Sequence, residues 1–201
     1  MKAIKCVLPI LIMLASHADA NSDLKDDESL YDLAPTDAAY VRLVNVTSAP
    51  IKLNVGDQTL TANEFCSTSG IIWVKPETEI SGVFSTITTV TGELYTVVIS
   101  DSSSVMSERM SHDPFKANLG TYNLTNEVIS LVTTTGHRPV FSDLSAGMVA
   151  TRPLNPITVA LTTLVADMTA SLGQISLKRG KKTDTFICEA GREIAFGISE
   201  Y

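Results

Sequence analysis

Strand periodicity is clearest in residues 39–62, which read AYVRLVNVTSAPIKLNVGDQTLTA. Apolar side chains recur at every second position along 40–45 and again along Ile51–Val55, which is the period of a half-buried β-strand. Gly56 and Asp57 then supply a tight turn into residues 58–60, so the second and third strands are expected to form a hairpin. The stretch predicts short strands joined by turns.

The same pattern continues along the chain. Further strand-like runs lie at 71–75, 82–90, 94–99, 138–141, 148–152, 157–165, 174–178, 183–188 and 193–198. Residues 161–172 also fit helical spacing, but they are rich in Thr and Val and end at Gly173, which favours two strands with a turn near Asp167. Strands of this length and spacing predict an all-β fold of two tandem antiparallel β-sandwich-like domains.

An internal repeat supports the division into two domains. A shift of 78 residues, without gaps, places Ala39, Asn45, Thr47, Ile51 and Leu53 on Ala117, Asn123, Thr125, Ile129 and Leu131. Each half would open with a strand, turn at an Asn-aliphatic-Thr corner and return as a second strand. The predicted boundaries are an N-terminal β domain over 39–100, a Ser-rich linker over 101–116 and a C-terminal β domain over 117–201.

The two Asn-x-Thr corners also match glycosylation acceptors. We interpret Asn45 and Asn123 as turn residues instead, because asparagine suits the backbone of a corner that recurs in both halves.

The start of the chain reads as an export signal. Lys2 and Lys5 precede a short apolar run, and Ala18-Asp19-Ala20 has the small residues that a signal peptidase recognises. We therefore expect a signal peptide over 1–20, cleaved after Ala20, and a periplasmic location. The apolar run is too short to span a bilayer, so no stable membrane anchor is expected.

Residues 21–38 are expected to form an acidic lead-in followed by an extended segment. Asp23, Asp26, Asp27 and Glu28 crowd the first part. The second part is apolar, and it either tucks under the first sheet or docks on a partner protein. The candidate partner-binding residues in it are Leu30, Tyr31 and Pro35.

Composition restricts the possible partners. The chain has 201 residues, of which 18% are charged, and a formal net charge of -7. A negative chain repels phosphates, so nucleic acid is not expected to bind. Two cysteines follow the signal peptide, Cys66 and Cys188, and export places them in an oxidising compartment. They either form a disulfide or stay as two buried thiols, and the sequence leaves both open.

Recognisable motifs for catalysis, metal binding or cofactor binding are missing from the sequence. It contains no Gly-x-Ser-x-Gly elbow, no zinc or calcium spacing and no dinucleotide fingerprint. No metal or cofactor is therefore expected, and the chain is predicted not to be an enzyme. The one arrangement for acyl transfer is His112 with Asp113 or Asp101 and one of the linker serines, and the alternative is an exposed loop histidine.

Lys178, Arg179, Lys181 and Lys182 are the one concentrated basic feature of this acidic chain. They are candidates for binding an acidic partner or a carboxylate-bearing polymer. The alternative is a solvated turn whose lysines discourage strand aggregation. Trp73 is either core or part of a carbohydrate-stacking platform, and an aromatic content of 6% disfavours a carbohydrate-binding module.

Several short stretches carry a family resemblance. Leu30-Tyr31, Ala34-Pro35 and residues 40–45 resemble the opening of the AlgF family of alginate O-acetylation proteins. Residues 152–159, RPLNPITV, resemble the family's second half. Residues 177–180, LKRG, followed by FIC at 186–188, resemble its closing hairpin. The middle of the chain, residues 64–112, has little that aligns.

The resemblance implies a periplasmic component of a machine that O-acetylates an exported polysaccharide, either alginate or a similar polymer such as cellulose. Together with the missing motifs it favours an adaptor that binds and positions the periplasmic and membrane-linked O-acetyltransferases, with the polysaccharide as a further candidate partner. The alternatives are an acetyl carrier or transferase in the same pathway, and a carbohydrate-binding module. The family provides no catalytic residue to transfer to this chain.

Overall fold

The computed structural model describes residues 35–82, 85–110, 113–191 and 193–201. All regular elements in these ranges are β-strands, which confirms the predicted all-β fold. Residues 34–201 form one compact unit, and a second unit, 1–33, lies outside the described residues. Also outside them are the predicted signal peptide with its cleavage site after Ala20, the acidic lead-in, Leu30, Tyr31 and His112. The described ranges hold no helix long and apolar enough to cross a membrane.

The first half of the unit has one central sheet and two hairpins. The central sheet has the order β4-β1-β8-β9, with β5 also pairing β1, while β2 pairs β3 and β6 pairs β7. The strands are β1 (Ala39–Asn45), β2 (Ile51–Val55), β3 (Gln58–Ala62), β4 (Ser67–Thr68), β5 (Ile72–Val74), β6 (Glu79–Ile80), β7 (Ile87–Thr88), β8 (Glu93–Ile99) and β9 (Ser104–Arg109).

The second half forms two four-stranded sheets. A second central sheet has the order β13-β10-β16-β17, and an outer sheet has the order β12-β11-β14-β15. The strands are β10 (Ala117–Leu124), β11 (Ile129–Thr133), β12 (Pro139–Leu144), β13 (Val149–Leu154), β14 (Ile157–Val165), β15 (Met168–Leu177), β16 (Lys182–Ala190) and β17 (Glu193–Glu200). The turn between β14 and β15 falls at Asp167, as predicted.

Three apolar interfaces stack these sheets in layers. Val41 and Leu43 on one face of β1 pack against the β2–β3 hairpin, whereas Val44 on the other face packs against Tyr122 and Phe186 of the second central sheet. The far face of the second central sheet packs on the outer sheet through two further clusters. Alternation along each strand produces this arrangement, because successive side chains point to opposite faces.

Strand direction differs from the antiparallel prediction at two places. β1 pairs β8 in parallel, and β10 pairs β16 in parallel. In both cases several strands and turns separate the two partners in sequence, so the chain has room to return and run in the same direction. The other strand pairs are antiparallel.

The internal repeat is visible as two matching corners. The buried Asn45 amide donates hydrogen bonds to the carbonyls of Ala49 and Ala62, and its oxygen accepts from Thr47. In the second half, Asn123 donates to the carbonyls of Glu127 and Leu144, and its oxygen accepts from Thr125. Both side chains are satisfied within the fold, so each asparagine fixes the turn between its strand and the following hairpin.

Contacts between the two halves are extensive within this unit. Cys66 and Cys188 form a disulfide with a Cα–Cα distance of 5.8 Å, which resolves the alternatives left open by the sequence. β9 lies inside the segment predicted as a linker, where serines and charges hide its strand pattern. It is an edge strand with β8 as its neighbour, and such a position tolerates polar residues. The two-domain boundaries remain a prediction.

Candidate functional site

Three loops at one end of the second half form a mixed basic and apolar surface. The Gly180 N–H donates to the carbonyl of Lys116 over 2.8 Å, and Lys116 Nζ donates to Asn155 Oδ1 over 2.8 Å. These bonds hold together the loop before β10, the β13–β14 turn and the β15–β16 turn. We call the exposed result the tip surface, which consists of Phe115, Lys116, Ile157, Lys178, Arg179 and Lys181.

The tip surface combines two exposed apolar side chains with four cations. Phe115 is 72% exposed and Ile157 is 56% exposed, which is unusual for large apolar side chains. Lys178 pairs with Glu200 at 2.8 Å and stays exposed. A surface that carries both cations and exposed apolar side chains is suited to binding an acidic partner, because the charges attract it and the apolar side chains provide area to bury.

Lys182 does not belong to this surface, although the sequence grouped it with Lys178, Arg179 and Lys181. It is the first residue of β16 and is 5% exposed. Its Nζ lies 2.5 Å from Glu108 Oε2 and 3.3 Å from Asp184 Oδ1. The strand turns this side chain inward, where it neutralises two carboxylates.

Lys182 is one member of a buried ionic cluster between the two central sheets, formed with Arg42, Glu108 and Asp184. Arg42 Nη1 lies 2.6 Å from Asp184 Oδ2, and both side chains are fully buried. Arg42 Nε donates to Thr96 Oγ1 over 2.9 Å, and Nη2 lies 3.6 Å from Glu108 Oε1. Two cations therefore balance two anions, which is the condition under which charges can be buried.

Aromatic rings enclose the Arg42 guanidinium. Its central carbon lies 4.9 Å from the ring centre of Tyr122 and 4.8 Å from that of Phe186. These two rings stack on each other with centres 4.8 Å apart. Tyr201, the last residue, adds a third ring at 5.7 Å, and its hydroxyl donates to Asp184 Oδ2 over 2.9 Å. The Tyr122 hydroxyl donates to Glu108.

This environment shifts pKa values in ways that keep the cluster intact. Burial lowers the pKa of Arg42, but the adjacent Asp184 offsets this and the net shift is upward, so the guanidinium stays charged. Burial raises the pKa of Tyr122 and of Tyr201 well above the usual range. Both hydroxyls therefore remain protonated donors to the carboxylates. The cluster links the two halves through ion pairs, and its role is structural.

Our sequence reasoning missed this cluster. The available signal was a single charged residue within a run of strand-forming residues, and it occurs twice. Arg42 stands between Val41 and Leu43, and Asp184 stands between Thr183 and Thr185. A charge in such a run needs a partner, but the sequence does not identify which one.

The other candidates from the sequence occupy separate places. Pro35 is exposed before β1. Trp73 is half-buried and lies opposite Tyr40 on the neighbouring strand, and its carbonyl accepts a hydrogen bond from Gln58. The structure does not bring Pro35 and the tip cations into any described contact.

A polar cleft of about 410 Å³ lies where β10 ends, whereas the tip surface lies where β10 begins. Hydroxyls of Ser100, Ser102 and Ser104 line it together with the carboxylates of Asp101 and Glu189. The cleft is thus acidic and the tip basic, so an acidic ligand is favoured at the tip. Among the residues that the structure describes, no group of three or more His, Cys, Asp or Glu side chains is arranged to hold a metal ion.

Comparison with known proteins gives consistent matches. A family model described as "Alginate O-acetyl transferase AlgF" matches residues 10–183. The alginate biosynthesis protein AlgF of Pseudomonas putida is 25% identical over 179 residues, covering 84% of this chain and 82% of that protein. The solved C-terminal domain of AlgF from P. aeruginosa matches 43% of this chain and 99% of its own, with 23% identity and a TM-score of 0.40. The family match spans most of the sequence, and the chain therefore belongs to the AlgF family.

Proposed function

We propose that this protein is a periplasmic adaptor required for O-acetylation of an exported polysaccharide, alginate or a similar polymer. In this role it binds the periplasmic and membrane-linked O-acetyltransferases and positions them on the polymer. The observation that carries the proposal is the AlgF family match over residues 10–183. The AlgF relative in P. putida is named as an alginate biosynthesis protein.

We further propose that the tip surface is the docking site for an acidic face of an acetyltransferase. Phe115 would fill a pocket on the partner, while Arg179 and Lys181 would pair with carboxylates around it. The two halves are cross-linked by the disulfide and the ionic cluster, so the tip is presented on a rigid support. A rigid surface loses little conformational entropy on binding.

Binding to the purified acetyltransferases tests this site. Phe115→Ala and the double variant Arg179→Glu/Lys181→Glu should each weaken binding at least about tenfold, since buried aromatic anchors and facing charges dominate interfaces. The matched control is Lys52→Glu/Lys75→Glu, which reverses two exposed charges on the first half. Unchanged binding by the tip variants, or equal loss in the control, would refute the docking site.

A second candidate function is acyl transfer by the protein itself, which the description of the family as an alginate O-acetyl transferase favours. His112 would then act as the general base, with a neighbouring serine as the acyl acceptor. Replacing His112 with alanine should in that case reduce acetyl transfer by orders of magnitude. The adaptor proposal predicts no measurable change in acetylation with the same variant.

A further inference from the structure

β15 is an unusual edge strand. Its residues 168–177 read MTASLGQISL, which contains no charge and no proline over ten residues. Within the described residues its backbone pairs with β14 on one side and with no other strand on the other. An edge of this kind presents a row of N–H and C=O groups that a further strand can use.

The other long edge strands of the three larger sheets carry features that discourage such pairing. β13 contains Arg152 and Pro153, and β12 begins with Pro139 and has two register shifts. β9 ends in Glu108 and Arg109. β17 begins and ends in glutamate, and Gly197 in it lies against the backbone of Cys66. Charges, prolines, bulges and covering loops are the usual protections of an edge, and β15 has only a bulge.

The side chains of β15 would allow a further strand to pair with its free edge. Met168, Leu172, Ile175 and Leu177 point toward the apolar core. The other face of the strand carries exposed Thr169, Ser171, Gln174 and Ser176, which are uncharged. Two copies of this strand can lie side by side without like charges facing each other.

Register adds charge complementarity. An antiparallel copy keeps the core-facing residues on one side when Met168 lies opposite Leu177 and Thr169 lies opposite Ser176. The two-fold axis then falls between Leu172, the extra residue of the bulge, and Gly173. Continuing this register places Asp167 opposite Lys178 of the second copy, once at each end. Both side chains are exposed, and Lys178, which pairs with Glu200 within its own chain, would also face Asp167 of the second copy.

We propose that β15 pairs with β15 of a second copy of this chain, antiparallel about a two-fold axis. The two outer sheets then form one continuous sheet, closed by two Asp167–Lys178 ion pairs. The interface is isologous, so association stops at the dimer. This inference does not depend on the proposed role in acetylation.

Sedimentation of the purified mature protein, over roughly a hundredfold range of concentration, tests the proposal. The wild type should shift from monomer to dimer within that range. Asp167→Lys and Lys178→Asp should each weaken dimerisation at least about tenfold, because each places two like-charged pairs in the interface. The double variant Asp167→Lys/Lys178→Asp should dimerise like the wild type.

The matched control is Asp57→Lys, which makes the same charge change in the exposed turn between β2 and β3. It should dimerise normally. The proposal is refuted if the wild type stays monomeric over the whole concentration range. That outcome would also hold if β15 paired only with a different protein. It is also refuted by a dimer that both single variants leave unchanged, or that the double variant fails to restore. Circular dichroism of each variant confirms that the fold is kept.

Discussion

Replacing Arg42 with methionine should destabilise the protein far more than removing an exposed lysine. Arg42 is fully buried, and its partner Asp184 at 2.6 Å is also fully buried. Methionine keeps the apolar contacts with the Tyr122 and Phe186 rings but removes the charge. The cluster is then left with Lys182 against two carboxylates. Breaking a buried ion pair by removing one partner typically costs about 3–5 kcal/mol.

Lys178→Met is the matched control. The Lys178–Glu200 pair has a similar length of 2.8 Å, but its side chains are 60% and 34% exposed. Water screens such a pair, so its loss should cost about 0–1 kcal/mol when both variants are measured as dilute monomers. The comparison tests the effect of burial, because each variant replaces one cation with methionine and leaves one carboxylate without that partner.

Urea unfolding followed by Trp73 fluorescence measures both variants, since the chain has a single tryptophan. A third variant, Arg42→Met/Glu108→Gln, restores the balance of one cation and one anion in the cluster. It should be less destabilised than the sum of the two single changes, because the two residues share the network. If Arg42→Met costs no more than Lys178→Met, the cluster does not stabilise the junction between the sheets and this reasoning fails.

Three further predictions concern the same junction. Gly120→Ala should lower the free energy of unfolding by about 1–3 kcal/mol, because a Cβ at this position would collide with the Asp184 carboxylate. Gly70→Ala is the control, since a Cβ there has no neighbouring atom within 4 Å. Equal urea midpoints for the two variants would contradict this prediction. Burial raises the pKa of Tyr122 and Tyr201 above the unfolded value of about 10, so their contribution is fully present below about pH 10 and falls by about 1.4 kcal/mol per pH unit per tyrosine above it. Absorbance near 295 nm in an alkaline titration should show these two tyrosines ionising only on unfolding, and ionisation in the folded protein near pH 10 would disprove the shift. Cys66→Ala/Cys188→Ala should lose about 2–5 kcal/mol, since the disulfide closes a loop between residues 122 apart, and an unchanged urea midpoint would show that it adds no stability.

Local pattern was enough to predict most of the strands. Alternation identified β1, β2, β8 and β14, and the scarcity of charged helix formers near residues 161–172 separated β14 from β15 at Asp167. The 78-residue shift located Asn45 and Asn123, whose matching hydrogen bonds show why an asparagine stands at both corners. These features depend on residues that are close together in the chain, so a local sequence pattern is enough to predict them.

Long-range pairing was not predictable in the same way. The parallel partnership of β1 with β8 depends on how the intervening hairpins fold back, and no local pattern records it. The disulfide joins residues 122 apart, and the Arg42–Asp184 pair joins residues 142 apart. The five-residue stretch 178–182 read as one basic patch, yet β16 begins at Lys182 and turns that side chain inward.

Polymer acetylation tests the central claim most directly. The measurement is the acetyl-ester content of the polysaccharide secreted by a host that lacks this gene, complemented with the wild type or with Phe115→Ala/Arg179→Glu/Lys181→Glu. The adaptor account predicts loss of acetyl esters on deletion, full recovery with the wild type and little recovery with the triple variant at equal protein level. Unchanged acetylation on deletion would contradict the proposed function. Full recovery with the triple variant would contradict the tip surface as its docking site.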